Sequence, residues 1–290
     1  MPAIDLEAEY NAALQVPASL EILARWQAAS VVQRRAQLGE LGELAELAEL
    51  DRAYGPGDRQ RYDLFRAGAR DAPLVVFIHG GYWRKGDRQG YAFVARALNA
   101  AGIDVAVPSY SLCPAVSVLH IIDELRRCLA ALWGRTRQRP VVIGHSAGGH
   151  LTAAMLATDW ATWPGVPADL VRAGCAISGV FELAPLIATS INLDVQLDPV
   201  TAAAASPVLW PPPPVDRTLV AAVGQHETGE FHRQSRAMVA AWRAAGVQAE
   251  YLAVAGANHF TVVEELTRPD SALFGRIASL ALRSPESSRR

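Results

Sequence analysis

Residues 139–149 read Arg-Pro-Val-Val-Ile-Gly-His-Ser-Ala-Gly-Gly and join a short apolar run to a Gly-x-Ser-x-Gly turn. The run before the turn favours a buried strand, and the residues after it favour a helix. Such a turn lifts the Ser146 hydroxyl off the end of a sheet, beside the positive N-terminus of the helix. Gly144 and Gly148 are required because a side chain at either position would clash where the backbone doubles back.

Strands and helices alternate on both sides of this turn, and the alternation indicates the fold class. Short β-branched runs are typical of strands, and longer runs with apolar residues on one face are typical of helices. Alternation of this kind predicts an α/β protein with a mostly parallel, doubly wound sheet and helices on both faces. Besides the strand before Gly144, the predicted strands are 74–78, 103–107, 173–178, 218–223 and 248–254, and the predicted helices are 88–101, 117–134, 230–245 and 261–282.

Two segments depart from this alternation. Residues 180–216 lack a strong strand pattern and end in a proline run, so we predict a small irregular insert that acts as a lid. The Leu-Glu repeat of residues 40–50 predicts an amphipathic helix with a solvated glutamate face. We therefore divide the chain into an N-terminal helical segment, 1–45, and a single α/β domain, 46–285.

Composition excludes several classes of function. The 290 residues are 51% apolar, and 27 basic residues nearly balance 29 acidic ones, which leaves no charge excess for binding nucleic acid or an anionic membrane. The sequence contains neither a recognisable signal peptide nor a membrane-spanning run, and a cytoplasmic location is predicted. Cys113, Cys128 and Cys175 are widely spaced in apolar surroundings and are predicted to be buried free thiols.

The Ser146 hydroxyl can act as a nucleophile only if a histidine removes its proton and an acid orients that histidine. In this fold the chain order is Ser, then Asp or Glu, then His, with each residue on a loop after a strand. His259 is the histidine that follows the last predicted strand. Glu227 follows the strand that ends at Gly224 and is the predicted acid, with Glu230 as its nearest competitor.

A tetrahedral intermediate at Ser146 would place negative charge on the former carbonyl oxygen, which needs N–H donors. The predicted donors are the backbone of Ala147, which follows the serine, and of Gly80 and Gly81, in the glycine-rich loop after strand 74–78. Together they would form an oxyanion hole.

The substrate pocket is predicted from the aromatic residues that follow this loop and from the irregular insert. Tyr82 and Trp83 would lie beside the reacting carbonyl and could stack on a flat acyl group, although a core role covering the sheet edge is equally compatible with the sequence. Asn192, within the insert, is predicted to contact substrate.

The sequence predicts chemistry without a metal and without a cofactor. No cluster of cysteine, histidine and carboxylate residues has metal-ligand spacing, and there is no glycine-rich phosphate loop with its lysine. His145 and His150, which flank Ser146, are predicted either to pack around the turn or to support the residues that carry the chemistry. The only predicted partner is a small-molecule substrate, and a homodimer is left open.

Five strings resemble the serine-dependent kynurenine formamidase (arylformamidase) branch of the α/β-hydrolase superfamily. The likeness extends over about residues 50–270, and the first and fourth strings are much more specific than the Gly-x-Ser-x-Gly turn. The strings are HGGYW (79–83), GHSAGGHL (144–151), SGVFEL (178–183), GQHETGEFHRQS (224–235) and NHF (258–260).

The resemblance implies an α/β-hydrolase fold and a catalytic triad of Ser146, Glu227 and His259, although better-known members carry aspartate where this chain has Glu227. It implies hydrolysis of a formamide such as N-formyl-L-kynurenine through an acyl-enzyme. A carboxylesterase acting on small aryl or alkyl esters, or on an ester or amide of a xenobiotic or secondary metabolite, would use the same residues. A non-catalytic binding protein of this fold is the remaining alternative.

Overall fold

The computed structural model describes residues 4–37 and 47–283, and in these ranges the strands form one eight-stranded sheet. The strand order is β1-β2-β4-β3-β5-β6-β7-β8. β1 and β2 join antiparallel at one edge, and all pairs from β4 to β8 are parallel. The strands are β1 (Ala48–Ala53), β2 (Arg61–Phe65), β3 (Leu74–Ile78), β4 (Asp104–Pro108), β5 (Val141–His145), β6 (Ala173–Ile177), β7 (Thr218–Gly224) and β8 (Gln248–Val254).

Helices cover both faces of this sheet, because the chain starts its parallel strands near the centre and crosses over to either side. Within the described ranges no helix is long and apolar enough to cross a membrane. The α-helices are α1 (Leu6–Tyr10), α2 (Ala12–Gln15), α3 (Ser19–Gln37), α4 (Ala95–Ala100), α5 (Val118–Thr136), α6 (Ala147–Leu156), α7 (Asn192–Val195), α8 (Pro199–Ala204), α9 (Gly229–Ala244), α10 (Thr261–Glu264) and α11 (Ala272–Leu282). Short 3₁₀ helices span Arg88–Val94, Trp160–Thr162, Ala184–Ala188, Pro207–Leu209 and Glu265–Thr267.

The predicted α/β-hydrolase fold is confirmed, and its central strands show why the sequence indicates it. Every residue of β3, β4 and β5 is buried, which is why these strands read as continuous apolar runs rather than as alternating patterns. The carboxyl ends of these parallel strands lie at one edge of the sheet, and the loops that follow them therefore meet there.

The prediction of one continuous final helix over residues 261–282 is wrong, because the helix is interrupted near its centre. α10 ends at Glu264, a 3₁₀ turn continues to Thr267, and α11 begins at Ala272. The interruption lies at Pro269, which has no N–H to donate and which disfavours helical backbone at the residue before it. Ser271 then starts α11, because its side chain accepts the Phe274 N–H.

The helix predicted from the Leu-Glu repeat at 40–50 is wrong at its C-terminal end, since residues 48–50 belong to β1. The rest of that prediction, residues 40–46, lies outside the described residues. β1 pairs antiparallel with β2, and neither strand was predicted. Pairing with a neighbouring strand supplies hydrogen bonds that override the high helix propensity of Ala, Glu and Leu, since tertiary context outweighs local propensity. The pairing partner is not visible in local periodicity.

Candidate active site

The turn between β5 and α6 has the strained geometry that its glycines predict. Ser146 has φ 56° and ψ −117°, a left-handed conformation that is costly for a residue with a side chain. A Cβ atom at Gly148 would lie 2.0 Å from the Ile78 carbonyl oxygen, and one at Gly144 would lie 2.3 Å from the Gly148 carbonyl oxygen. Only glycine fits at either position.

Glu227 and His259 lie together although 32 residues separate them in the sequence. Glu227 follows β7 and His259 follows β8, and these neighbouring parallel strands end at the same edge of the sheet. The His259 Nδ1–H donates to Glu227 Oε2 at 2.6 Å, and only 7% of the histidine side chain and 1% of the glutamate side chain are exposed. The competing Glu230 instead accepts hydrogen bonds from Tyr10 and Arg233.

The second carboxylate oxygen of Glu227 is held by two further donors. Oε1 accepts the Gly224 N–H and the Ser178 hydroxyl, each at 2.6 Å. Ser178 is fully buried and has a left-handed backbone, and its own N–H donates to the Ala222 carbonyl oxygen. These contacts fix the orientation of a side chain that is one methylene longer than aspartate.

His145 supports the backbone of His259. Its Nε2–H donates to the His259 carbonyl oxygen at 2.7 Å, and the two ring centroids lie 4.7 Å apart. Burial, followed by the nearby His259, lowers the pKa of His145 well below its usual value, so the ring stays neutral. The sequence left two roles open for His145, packing around the turn or support of the catalytic residues, and its contact with His259 corresponds to the second.

The glycine-rich loop after β3 lies directly against the Ser146 turn. A Cβ atom at Gly80 would lie 2.9 Å from the His145 carbonyl oxygen, and Gly80 itself does not border the cavity. Gly81 has φ 110°, and Tyr82 also has a left-handed backbone. Gly81 and Tyr82 border the same cavity as Ser146, and Ala147 is the first residue of α6, where N–H groups lack helical partners.

A cavity of about 280 Å³ brings these groups together. Ser146 and His259 both line it, with the loop that follows Gly81 along one side. The predicted lid, 180–216, supplies one residue to the lining, Ile191. The helical N-terminal segment contributes most of the opposite wall, through Asn11, Ala12, Ala13, Leu23, Trp26 and Gln27.

Hydrogen bonds fasten this N-terminal wall to the rest of the site. The Tyr10 carbonyl oxygen accepts the Tyr82 hydroxyl at 2.5 Å, and the Tyr10 hydroxyl donates to Glu230 Oε2 at 2.6 Å. Gln234 donates to the Tyr10 hydroxyl at 2.8 Å. Tyr10 is fully buried, so residues more than 200 positions away in sequence fix the start of the chain over the cavity.

Trp83 and Asn192 do not border the cavity. The Trp83 ring is fully buried and packs edge-on against His150, at a centroid distance of 5.0 Å. The Asn192 side chain closes a turn within the insert, since its amide accepts the Leu197 N–H and donates to the Leu197 carbonyl oxygen. Of the three predicted substrate contacts, Tyr82 therefore lies at the cavity.

Comparison with known proteins places this geometry in a family. A family model described as BD-FAE matches residues 63–162. The chain is 30% identical over 235 residues to kynurenine formamidase of Drosophila melanogaster, covering 75% of this chain and 76% of the relative. It is 27% identical over 225 residues to kynurenine formamidase of Danio rerio, with 75% and 76% of the two chains covered.

Solved structures of hydrolases superpose on this chain. A candidate thioesterase from Silicibacter sp. TM1040 is 32% identical and superposes with a TM-score of 0.84 over 95% of this chain and 99% of that chain. An esterase of Pyrobaculum calidifontis, 18% identical, superposes with a TM-score of 0.68 over 97% and 95% of the two chains, and shares the fold. The chain is a hydrolase and belongs to the kynurenine formamidase-like branch of the α/β hydrolases.

Proposed function

We propose that this chain is a serine hydrolase that cleaves an aryl formamide, with N-formyl-L-kynurenine as its substrate, through an acyl-enzyme on Ser146. The observation that carries the proposal is the buried His259–Glu227 hydrogen bond at the cavity that Ser146 lines. The kynurenine formamidases among its relatives support a formamide as the bond that is cleaved.

In the first step His259 acts as the base. Its Nδ1–H is engaged by Glu227, so Nε2 carries the lone pair and can take the Ser146 proton as Oγ attacks the formyl carbon. Glu227 remains a carboxylate and stabilises the imidazolium that forms.

Backbone N–H groups stabilise the oxyanion that results. Gly81 and Ala147 keep the roles predicted from sequence, because one borders the cavity and the other begins α6. The third donor in this proposal is Tyr82 rather than Gly80, since Tyr82 borders the cavity and Gly80 does not.

The reaction is completed in two stages, formation of the formyl-enzyme and its hydrolysis. The imidazolium of His259 gives its proton to the departing arylamine nitrogen, the C–N bond breaks, and the formyl group stays on Ser146 Oγ. Water, deprotonated by His259, attacks this formyl ester and releases formate, and Ser146 recovers its proton.

The test compares kcat/KM on N-formyl-L-kynurenine with kcat/KM on p-nitrophenyl acetate and butyrate. A formamide preference above about 100-fold, equivalent to roughly 2.7 kcal/mol of transition-state binding, supports the proposal. A preference of that size for the esters overturns it.

A carboxylesterase is the second candidate, favoured by the matches to enzymes named as esterases. One example is esterase LipC of Mycobacterium tuberculosis, 35% identical over 115 residues, which cover 34% of this chain and 27% of that relative. Covalent labelling by a fluorophosphonate probe separates both enzymes from a non-catalytic binding protein, because only an activated serine reacts. Absence of labelling in a folded sample would exclude both hydrolase assignments.

A further inference from the structure

Lys85 is the only lysine in the sequence, although the chain has 27 basic residues. It lies on the loop after β3 and lines the same cavity as Ser146 and His259. The other 26 of these basic residues are arginines, which carry a guanidinium group. The single ammonium group therefore lies at the proposed site of reaction.

The loop that carries Lys85 is held by its own backbone. The N–H groups of Arg84 and Lys85 both donate to the Gly81 carbonyl oxygen at 3.1 Å. Gly81 and Gly86, on either side, have φ angles of 110° and 94°, which side chains rarely adopt. The backbone of Lys85 is therefore held in place, while its side chain is exposed.

The neighbouring charges of the cavity already have partners. Arg84 forms an ion pair with Asp194, from the insert. Asp87 accepts the Gly90 N–H through Oδ1 at 2.9 Å. Across residues 4–37 and 47–283, the Lys85 ammonium group has neither an ion pair nor a hydrogen bond. Of the two cationic side chains that line the cavity, Arg84 is paired with a carboxylate, and Lys85 is available to an anionic group of a ligand.

The rest of the chain uses its cations differently. Arg66, for example, bridges Asp104 and Glu49 with two nitrogens, a fixed geometry that suits the planar guanidinium. An ammonium group on a flexible stem is a point charge, which suits an anion that enters and leaves.

We propose that Lys85 binds a carboxylate of the substrate and makes this chain selective for substrates that carry this carboxylate over those of the same shape in which a neutral group replaces it. The inference rests on the proposed hydrolysis at Ser146 and names the class of substrate for that site. The carboxylate belongs to the part of the substrate outside the cleaved bond, so Lys85 acts on selectivity and takes no part in the chemical steps.

The test uses two formamides that share the aryl ketone. N-formyl-L-kynurenine carries a carboxylate beside its ammonium group, and N-formyl-L-kynurenine amide has the same shape with a neutral carboxamide in place of the carboxylate. For Lys85→Met we expect the ratio of kcat/KM, carboxylate over carboxamide, to fall about 10- to 100-fold, the usual worth of a hydrogen bond to a charged group. Lys85→Arg keeps the charge and should restore most of the ratio.

Arg70→Met is the matched control, because it removes one positive charge from an exposed turn that does not line the cavity. Its ratio should equal that of the wild type. An unchanged ratio in Lys85→Met, or an equal fall in Arg70→Met, overturns the proposal.

Failure of the proposed function is separable from failure of this inference. If the wild type cleaves neither formamide, the proposed formamidase activity is wrong, and the same variants are compared on 4-acetoxybenzoate and 4-acetoxybenzamide. A Lys85-dependent preference for the benzoate then sustains the inference, and equal rates on the two esters reject it.

Discussion

Ser146 combines three properties that an ordinary surface serine lacks. It has a left-handed backbone, it is 2% exposed, and it precedes the first turn of α6. Strain of this kind persists only where the surroundings impose it, and here the turn is packed so closely that a Cβ atom fits at neither Gly144 nor Gly148.

Replacement of Ser146 by alanine removes only the Oγ atom and tests whether Ser146 is the nucleophile. The variant keeps the fold but has no nucleophile, so kcat should fall at least about 1,000-fold, leaving the residual rate that oxyanion donors and binding supply. Steady-state kinetics with an unchanged circular dichroism spectrum measures the loss. Retention of wild-type kcat would remove Ser146 from the mechanism.

Replacement of Glu227 by glutamine tests the orienting acid. An amide at this position removes the negative charge and can stabilise the wrong tautomer of His259, so kcat should fall by about 10³ to 10⁴. Glu227→Asp keeps the charge but shortens the reach to Ser178 and Gly224, and its loss should be smaller, about 10- to 100-fold. Equal activity of Glu227→Gln and wild type would exclude this role.

The residues of the candidate site differ in how far their positions can be predicted from the sequence. Ser146, Glu227 and His259 follow from chain order and from the strands before them. Ser178 and His145 act through Glu227 and His259, and their contacts depend on which strands are neighbours in the sheet. That adjacency requires the full strand order, which local patterns do not specify.

At the scale of elements, the N-terminal helices contribute more of the cavity wall than the irregular insert does. The irregular insert was the expected lid. The insert supplies Ile191 to the lining, whereas α2, α3 and the preceding Asn11 together supply six residues. The short helices α1 and α2 carry too few residues for a periodic signal, and their docking depends on Tyr10 contacting α9.

A bulky side chain on the N-terminal wall should obstruct the cavity. Ala13 lines the cavity and is exposed, so Ala13→Trp places a ring at the mouth without disturbing the core. We expect KM for an aryl substrate to rise about 5- to 100-fold, the range that steric overfilling of 1–3 kcal/mol produces. Kinetics on N-formyl-L-kynurenine or an aryl ester measures it.

Leu14 provides the control on the same helix. It is 62% exposed and does not line the cavity, so Leu14→Trp adds an indole ring one position away. Its KM should stay near that of the wild type. If both variants raise KM equally, the N-terminal segment affects the site through its stability rather than as a wall.

At the scale of the whole molecule, the three buried histidines other than His259 share one arrangement. His79, His145 and His150 each donate one N–H to a backbone carbonyl oxygen, of Gly80, His259 and Ala205. In each ring the other nitrogen is buried and has no partner among the described residues. A second proton would create a buried cation without an acceptor, and burial accordingly lowers the pKa of His79 and of His150 to about 4.

The pKa values of these histidines determine how the free energy of unfolding depends on pH. The values are lower in the folded chain than the ordinary 6.5, so the unfolded chain binds more protons between pH 6.5 and about 4. The free energy of unfolding is therefore unaffected by these groups above pH 6.5. It decreases as the pH falls toward 4, by about 1.4 kcal/mol per pH unit for each histidine. Urea unfolding between about pH 6.5 and 5, above the range where most carboxylates titrate, measures this slope.

His150→Gln removes one of the three titrating rings and keeps a donor for the Ala205 carbonyl oxygen. The variant is expected to be less stable at neutral pH because the amide fills the space beside Trp83 less well than the ring does. The informative quantity is the slope, which should fall by about one proton, or roughly 1.4 kcal/mol per pH unit. A slope equal to that of the wild type would mean that His150 binds its proton equally well in the folded and the unfolded chain, and would contradict the role assigned to its buried, unpartnered nitrogen.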